Sequence, residues 1–275
     1  MIAPGWLCVL GWQTGAANTA FLAGTQIQGL LVLNYPDYVF QRWHGTLLVF
    51  AVSAFSTFFN TYLANKLSLI EGIVLIVHIF GFFAVLVTFW VLGPRGDTHD
   101  VFFQFTNKGG WNSDGTSALV GTLAPMLALL GADAAVHMSE ELKDASKVLP
   151  MSMIWTTIIN GAMGFVMVIT FCFILGDPNA AINTPTGYAF IEVFYLTTQS
   201  YMGATILSSL IIFMTMFINL TYVATASRQL FAFARDKGVP FGRWVAYVRS
   251  SLPSLFQVYD QCETTTILNQ FNKTQ

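Results

Sequence analysis

Charged residues are scarce in this chain of 275 residues: Asp, Glu, Lys and Arg together make up only 9% of it. Soluble domains carry about a quarter charged residues. With 55% hydrophobic residues, a soluble protein of this length would have too few charges to cover its surface. The formal net charge of −2 supplies no basic stripe for a phosphate backbone, which argues against nucleic-acid binding. The composition is that of a polytopic membrane protein.

Cysteine is also scarce, and its few copies are scattered. Cys8, Cys172 and Cys262 form neither a CxxC pair nor a disulfide framework. The four histidines are equally dispersed, and no phosphate-binding loop or Ser/His/Asp arrangement stands out. The sequence therefore predicts no enzyme chemistry, no cofactor and no metal site.

The chain contains long runs of apolar residues. A membrane-spanning helix needs about 20 mostly apolar residues, and six continuous segments meet this requirement, unlike the short alternating stretches of barrel strands. The expected spans are residues 5–33, 45–64, 69–92, 117–138, 151–175 and 203–233. Residues 189–200 are too short and polar to span, and are expected to form an interfacial helix. We therefore predict an all-α, multi-pass helix bundle embedded in the lipid bilayer.

Lysine and arginine, which favour cytoplasmic loops, orient the predicted bundle. If the first span ends outside, seven of these residues fall in inner loops and three in outer loops. The loop at 93–117 is then outside and the loop at 139–150 inside. Residues 1–249 are predicted to form the membrane domain. The stretch 250–275 is polar and rich in Thr and Gln, and is predicted to be a tail that is not part of the fold.

The fourth expected span carries the most informative residues. Pro125 and Gly131 are weak helix formers, and Asp133 follows within the expected hydrocarbon layer. A carboxyl group there should face protein or water. One interpretation is that Gly131-Ala132-Asp133 is an unwound joint lining a substrate pathway, since broken helices bind substrates and ions in transporters. The alternative is that Asp133 caps the second half-helix by accepting a hydrogen bond from the amide of Val136.

Polar side chains elsewhere in the spans allow structural and functional interpretations. His137 lies one turn beyond Asp133 and could hydrogen-bond to it. In the first span, Gly15 and Asn18 lie on nearly one face, which suits close helix packing and equally a helix that lines a cavity. Asn219 opens an Asn-Leu-Thr glycosylation pattern, but it lies within a span, where it cannot be glycosylated.

Three motifs resemble the amino acid/polyamine/organocation permeases. Residues 131–150, GADAAVHMSEELKDASKVLP, resemble the end of the sixth helix and the following inner loop of that family. Residues 224–240, ATASRQLFAFARDKGVP, resemble the end of its eighth helix. Residues 5–13, GWLCVLGWQ, with 20–24, AFLAG, are similar to the third helix of the fungal branch, the amino acid/choline/GABA permease group. The resemblance covers about residues 4–246.

This resemblance implies a leucine-transporter-type fold of two inverted five-helix repeats. The six expected spans would be family helices three to eight, so the fold would be incomplete, and we expect a chain truncated at both ends. The implied function is transport of amino acids or small amines, such as choline or GABA, by alternating access coupled to protons. Both the plasma membrane and the vacuolar membrane remain open as its location, and we favour the plasma membrane.

The resemblance also implies which residues bind substrate. Related members often have an aromatic gate where this chain has Leu127. Asp133 falls where some relatives have a titratable glutamate that couples protons, so it is the candidate for proton coupling. The implied substrate-binding residues are Gly131, Ala132 and Asp133 at the helix break, Leu127 and Leu130 just before it, Gly11 and Gly15 from the third family helix, and Tyr222 from the eighth.

Two alternatives to a transporter remain at this point. The chain could be a fragment that transports nothing, either inert or modulating a full-length permease. A seven-helix receptor is the other alternative, and the even number of spans and the broken fourth span argue against it.

Overall fold

The computed structural model describes residues 2–103, 107, 109–137, 139, 142, 144–176 and 181–246. The expected tail at 250–275 lies outside these residues. Regular structure in the described part of the chain is helical, without strands. This confirms the all-α prediction, and it follows from physics, because a helix satisfies its own backbone hydrogen bonds where no water can.

The helices follow the apolar runs closely. A 3₁₀ turn, Ala64–Lys66, joins the second and third helices. In chain order the α-helices are α1 (Ile2–Asn34), α2 (Arg42–Tyr62), α3 (Leu67–Leu92), α4 (Thr98–Phe103), α5 (Asp114–Gly121), α6 (Leu123–Leu129), α7 (Ala134–His137), α8 (Ala145–Ile174), α9 (Ala189–Thr198), α10 (Tyr201–Arg235) and α11 (Gly242–Val245).

Four of the described helices are long and apolar enough to cross a membrane: α2, α3 with its preceding turn, α8 and α10. Helix α1 has 33 residues and at 1.5 Å per residue is about 50 Å long, but its amides, hydroxyls and glycines make it less apolar. The fourth expected span is divided among the short helices α5, α6 and α7. The protein is thus a helical membrane bundle, and the count of six spans stays a prediction.

The chain divides into two compact units. Among the described residues, the first contains those within 2–28, 40–78 and 212–246, and the second contains those within 29–39 and 79–211. The first unit has two small apolar cores among α1, α2, the start of α3 and the end of α10. Their buried residues are Phe59, Leu67, Leu220 and Ala224 in one, and Ala20, Ala23 and Val52 in the other.

The second unit has a larger aromatic core. Phe89 is fully buried, and its ring centroid lies 5.4 Å from those of both Phe171 and Phe194. The expected short helix at 189–200 is present as α9, whose Ile191, Val193 and Phe194 are buried. Protein therefore covers the apolar side of this helix.

Candidate functional site

The fourth expected span is broken at the residues that its sequence singles out. Helix α6 ends at Leu129, and α7 begins at Ala134. Between them, Gly131 has a φ of 103°, a backbone conformation that residues with a Cβ rarely adopt. The Ala134 N–H donates to the Gly131 carbonyl at 3.0 Å, closing a turn. Non-helical backbone therefore lies inside a segment that the sequence predicts to span.

Asp133 ends this turn, and its side chain is exposed. The N–H of Val136 donates to the backbone carbonyl oxygen of Asp133 at 2.9 Å. This differs from the capping alternative, because the turn brings the carbonyl, and not the carboxylate, to that amide. His137, one turn further on, is half-buried. An exposed carboxylate of this kind can attract a cationic amine or accept a proton.

The residues just before the break are less informative. Leu130 is 66% exposed, and Ala132 is half-buried. Leu127 lies within α6, and its side chain is outside the described part of the structure. A Cβ built at Gly161 of α8 would lie 3.9 Å from Leu129 Cδ2, so α8 is the helix against which α6 packs.

Gly15 of α1 and Tyr222 of α10 are in direct contact. A Cβ built at Gly15 would lie 2.5 Å from Cε1 and 2.9 Å from Cδ1 of the Tyr222 ring. The ring of buried Trp12 lies beside the same tyrosine, with centroids 5.2 Å apart. Gly11, one turn earlier, is exposed, and a Cβ there would meet nothing within 4 Å. Gly15 thus serves close helix approach, whereas Gly11 borders open space.

The predicted site residues fall into two groups. Gly11, Gly15 and Tyr222 belong to the first unit, where Gly15 and Tyr222 meet. The residues at the break and the two leucines before it belong to the second unit. The binding of substrate by either group stays a prediction.

A buried hydrogen-bond network in the first unit was missed by sequence reasoning. Asn219 of α10 is 0% exposed. Its Nδ2 donates to the carbonyl of Ala16 at 2.7 Å and to Thr19 Oγ1 at 2.9 Å, both on α1. Its Oδ1 accepts from Ser56 Oγ of α2 at 2.6 Å. The one available signal was an amide in the middle of a span, which is expensive unless it is paired.

In the described part of the chain, one group of possible metal ligands lies at the start of α4. Donor atoms of Asp97, His99 and Asp100 lie within 4.8 Å of one another, and all three side chains are exposed. His99 Nδ1 lies 3.8 Å from Asp100 Oδ1. Exposed side chains that are neighbours in sequence come this close to one another without a metal.

Comparisons with known proteins agree with the motifs. Residues 1–259 match the family model described as amino acid permease. An amino acid/polyamine transporter of Macrophomina phaseolina is 31% identical over 249 residues, covering 90% of this chain and 55% of the relative. The choline transporter of Saccharomyces cerevisiae is 27% identical over 230 residues, covering 83% and 41%. Amino-acid permease 2 of Neurospora crassa is 26% identical over 273 residues, covering 96% and 50%.

The chain spans about half the length of these curated relatives. No solved structure matches it. The relatives are named as permeases and transporters, which are not enzymes, and the apolar helices agree with an integral membrane protein. Because the family model matches nearly the whole sequence, the chain belongs to the amino acid permease family.

Proposed function

We propose that the chain forms part of a transporter that moves amino acids or small amines, such as choline or GABA, across the plasma membrane by alternating access. The observation that carries this proposal is the helix break at residues 130–133. Unwound backbone inside a membrane-spanning segment frees peptide groups that can bind a substrate, and transporters use such breaks near the middle of the membrane. The names of the relatives support amino acids and choline-like amines as substrates.

Two further features support a substrate path. Gly11 is exposed beside open space, so a substrate could approach the backbone of α1 there. Tyr222 covers the neighbouring turn at Gly15. Small residues next to an aromatic ring give a surface that suits the methylene or methyl groups of a small amine.

We further propose that Asp133 couples uptake to protons. Its carboxylate is exposed at the break, and His137 lies one turn further on. Protonation removes the charge of this carboxylate, and so lowers the electrostatic cost of holding it within the membrane. Proton binding and substrate binding would then be linked through the same turn.

Replacing Asp133 tests this coupling. Uptake of radiolabelled choline, GABA and mixed amino acids should be measured in yeast cells that lack their own carriers, at acidic and neutral external pH. Asp133→Asn should lower the acid-to-neutral uptake ratio by about fivefold or more, which is the effect of an ordinary coupling free energy. The matched control is Asp144→Asn, because Asp144 is also exposed and makes no capping bond at the start of α8. Unchanged acid-stimulated uptake by the Asp133 variant would contradict the coupling role.

A second candidate function is modulation of a longer permease by a chain that transports nothing itself. Asn18, a polar residue exposed on α1, favours it, because such a residue would need a polar partner in lipid. Co-purification of the chain with a full-length relative, in cells where the chain alone gives no uptake, would support this function. Uptake by the chain alone would exclude it.

A further inference from the structure

Hydrogen bonds join α10 to α1 at the turn of α1 that contains Gly15. Asn219 donates to the Ala16 carbonyl and to the Thr19 hydroxyl. That hydroxyl in turn donates to the carbonyls of Gly15 at 3.0 Å and of Ala16 at 3.1 Å. A continuous chain of bonds therefore runs from one side chain of α10 to the backbone of the glycine that Tyr222 covers.

Asn219 and Tyr222 are three residues apart on α10, so they are neighbours on the helix surface. The hydrogen bonds that hold Asn219 at one position along the axis of α1 therefore also set the position at which the Tyr222 ring contacts Gly15. Trp12 lies one turn before Gly15 on α1, and its ring centroid lies 5.2 Å from that of Tyr222. It therefore packs against the same tyrosine. Apolar packing alone tolerates small shifts between helices, whereas hydrogen bonds have narrow limits of distance and angle.

Both donor hydrogens and the acceptor oxygen of the Asn219 amide are used, at distances of 2.6 to 2.9 Å. Moving α10 along α1 by even one residue would break these bonds in a setting where an unpaired amide is costly. We propose that Asn219 is a positioning residue, which holds Tyr222 against Gly15 and so fixes the shape of the substrate path. This inference rests on the proposed function in one respect, namely that Gly15 and Tyr222 border that path.

Asn60 of α2 provides a matched control. It is also buried, and its Nδ2 donates to the carbonyls of Ser56 at 2.9 Å and of Leu220 at 3.0 Å. The bond to Leu220 joins α2 to α10, the bond to Ser56 lies within α2, and neither involves α1. Asn60 therefore resembles Asn219 in residue type, burial and donor use, and differs in the helix that it holds.

Cross-linking of cysteine pairs measures the position of α10 on α1 without any need for transport. In a background with the three native cysteines replaced by serine, one reporter pair is Gly15→Cys with Tyr222→Cys. The second pair, Gly5→Cys with Phe233→Cys, reports the other end of the same two helices, where the Phe233 ring lies against Gly5. A short bifunctional thiol reagent is applied to the full chain in membranes.

Thr19→Val, the milder variant, removes one acceptor on α1 and should slow cross-linking of the first pair about fivefold, the effect of one lost hydrogen bond. Asn219→Leu should slow it further, while the second pair reacts at its original rate. Ser56→Ala and Asn60→Leu, which remove bonds between α2 and α10, should leave the first pair unchanged. If the first pair reacts at the parent rate in both Thr19→Val and Asn219→Leu, the positioning role is overturned.

Uptake kinetics test the consequence for substrate. With native Gly15 and Tyr222, Thr19→Val should raise the KM for choline about fivefold with little change in maximal rate. Asn60→Leu should lower the maximal rate only in proportion to the amount of protein in the membrane. Slower cross-linking with an unchanged KM would overturn the inferred link to the substrate path. If the parent chain shows no uptake, the proposed function fails, and the cross-linking result still decides the position of α10.

Discussion

Gly15 and Gly131 are both glycines in predicted spans, and the structure requires them for opposite reasons. At Gly15 a side chain has no room, because a Cβ would lie 2.5 Å from the Tyr222 ring. At Gly131 a Cβ would meet nothing within 4 Å, but the φ of 103° is unfavourable for any residue that has one. The first glycine belongs to a packed contact between two helices, and the second belongs to a broken helix. Glycine therefore allows close contact between two helices at Gly15, and it allows a helix to be interrupted at Gly131.

The largest effect is expected at the packed glycine. Gly15→Ala should lower the free energy of unfolding by about 1–3 kcal/mol, because the added methyl group must displace an aromatic ring. Tyr222→Ser should relieve much of this loss in the double variant, whereas Tyr222→Phe should not, since it keeps the ring atoms in question. Denaturant unfolding in detergent measures the parent chain, Gly15→Ala and the two double variants. Rescue by Tyr222→Phe would contradict the steric explanation.

A smaller loss is expected at the broken helix. Gly131→Ala should destabilise the chain by about 1–2 kcal/mol through backbone strain, and no substitution of a neighbouring side chain should restore it. The control is Gly121→Ala at the end of α5, where a Cβ meets nothing within 4 Å and the backbone is helical. That change should alter stability by no more than about 0.5 kcal/mol. Equal losses for the two variants in the same unfolding assay would show that φ is not the reason for Gly131.

The smallest effect on stability is expected at Gly11, which has neither a close neighbour nor a positive φ. Gly11→Ala should be neutral or stabilise the chain by up to about 1 kcal/mol, through helix propensity alone. If Gly11 borders the substrate path, uptake should nevertheless fall. Unfolding and uptake measured on the same preparation separate the two effects, and a stable variant with normal uptake would remove Gly11 from the path.

The sequence predicted the positions of the long helices well, because runs of apolar residues in a membrane leave the backbone little choice other than a helix. The predicted spans at 5–33 and 69–92 correspond to Ile2–Asn34 and Leu67–Leu92. The interruption near Gly131 was also readable from weak helix formers. The exact division into three short helices was not, since it depends on single hydrogen bonds such as the one from Val136 to the Asp133 carbonyl.

The candidate site was less predictable than the helices. The sequence left Gly15 open between packing and cavity lining, and only the position of Tyr222, more than 200 residues later, shows which side chain contacts it. Its role in binding substrate stays a prediction. The contacts of Asn219 were equally unpredictable, since its partners on α1 are 200 and 203 residues away. Which faces of two distant helices meet is a property of the assembled bundle, and local patterns do not contain it.

The long separation within the Asn219 network has a consequence for synthesis. Its acceptors on α1 leave the ribosome 200 or more residues before the amide that needs them. At ordinary translation rates this interval is about 10–40 s. The acceptors Ala16 and Thr19 and the donor Ser56 are therefore already in the membrane when Asn219 arrives. The Asn219 amide is synthesised after all of its hydrogen-bond partners. Helix α10 can therefore enter the lipid beside α1 and α2 without an unpaired amide.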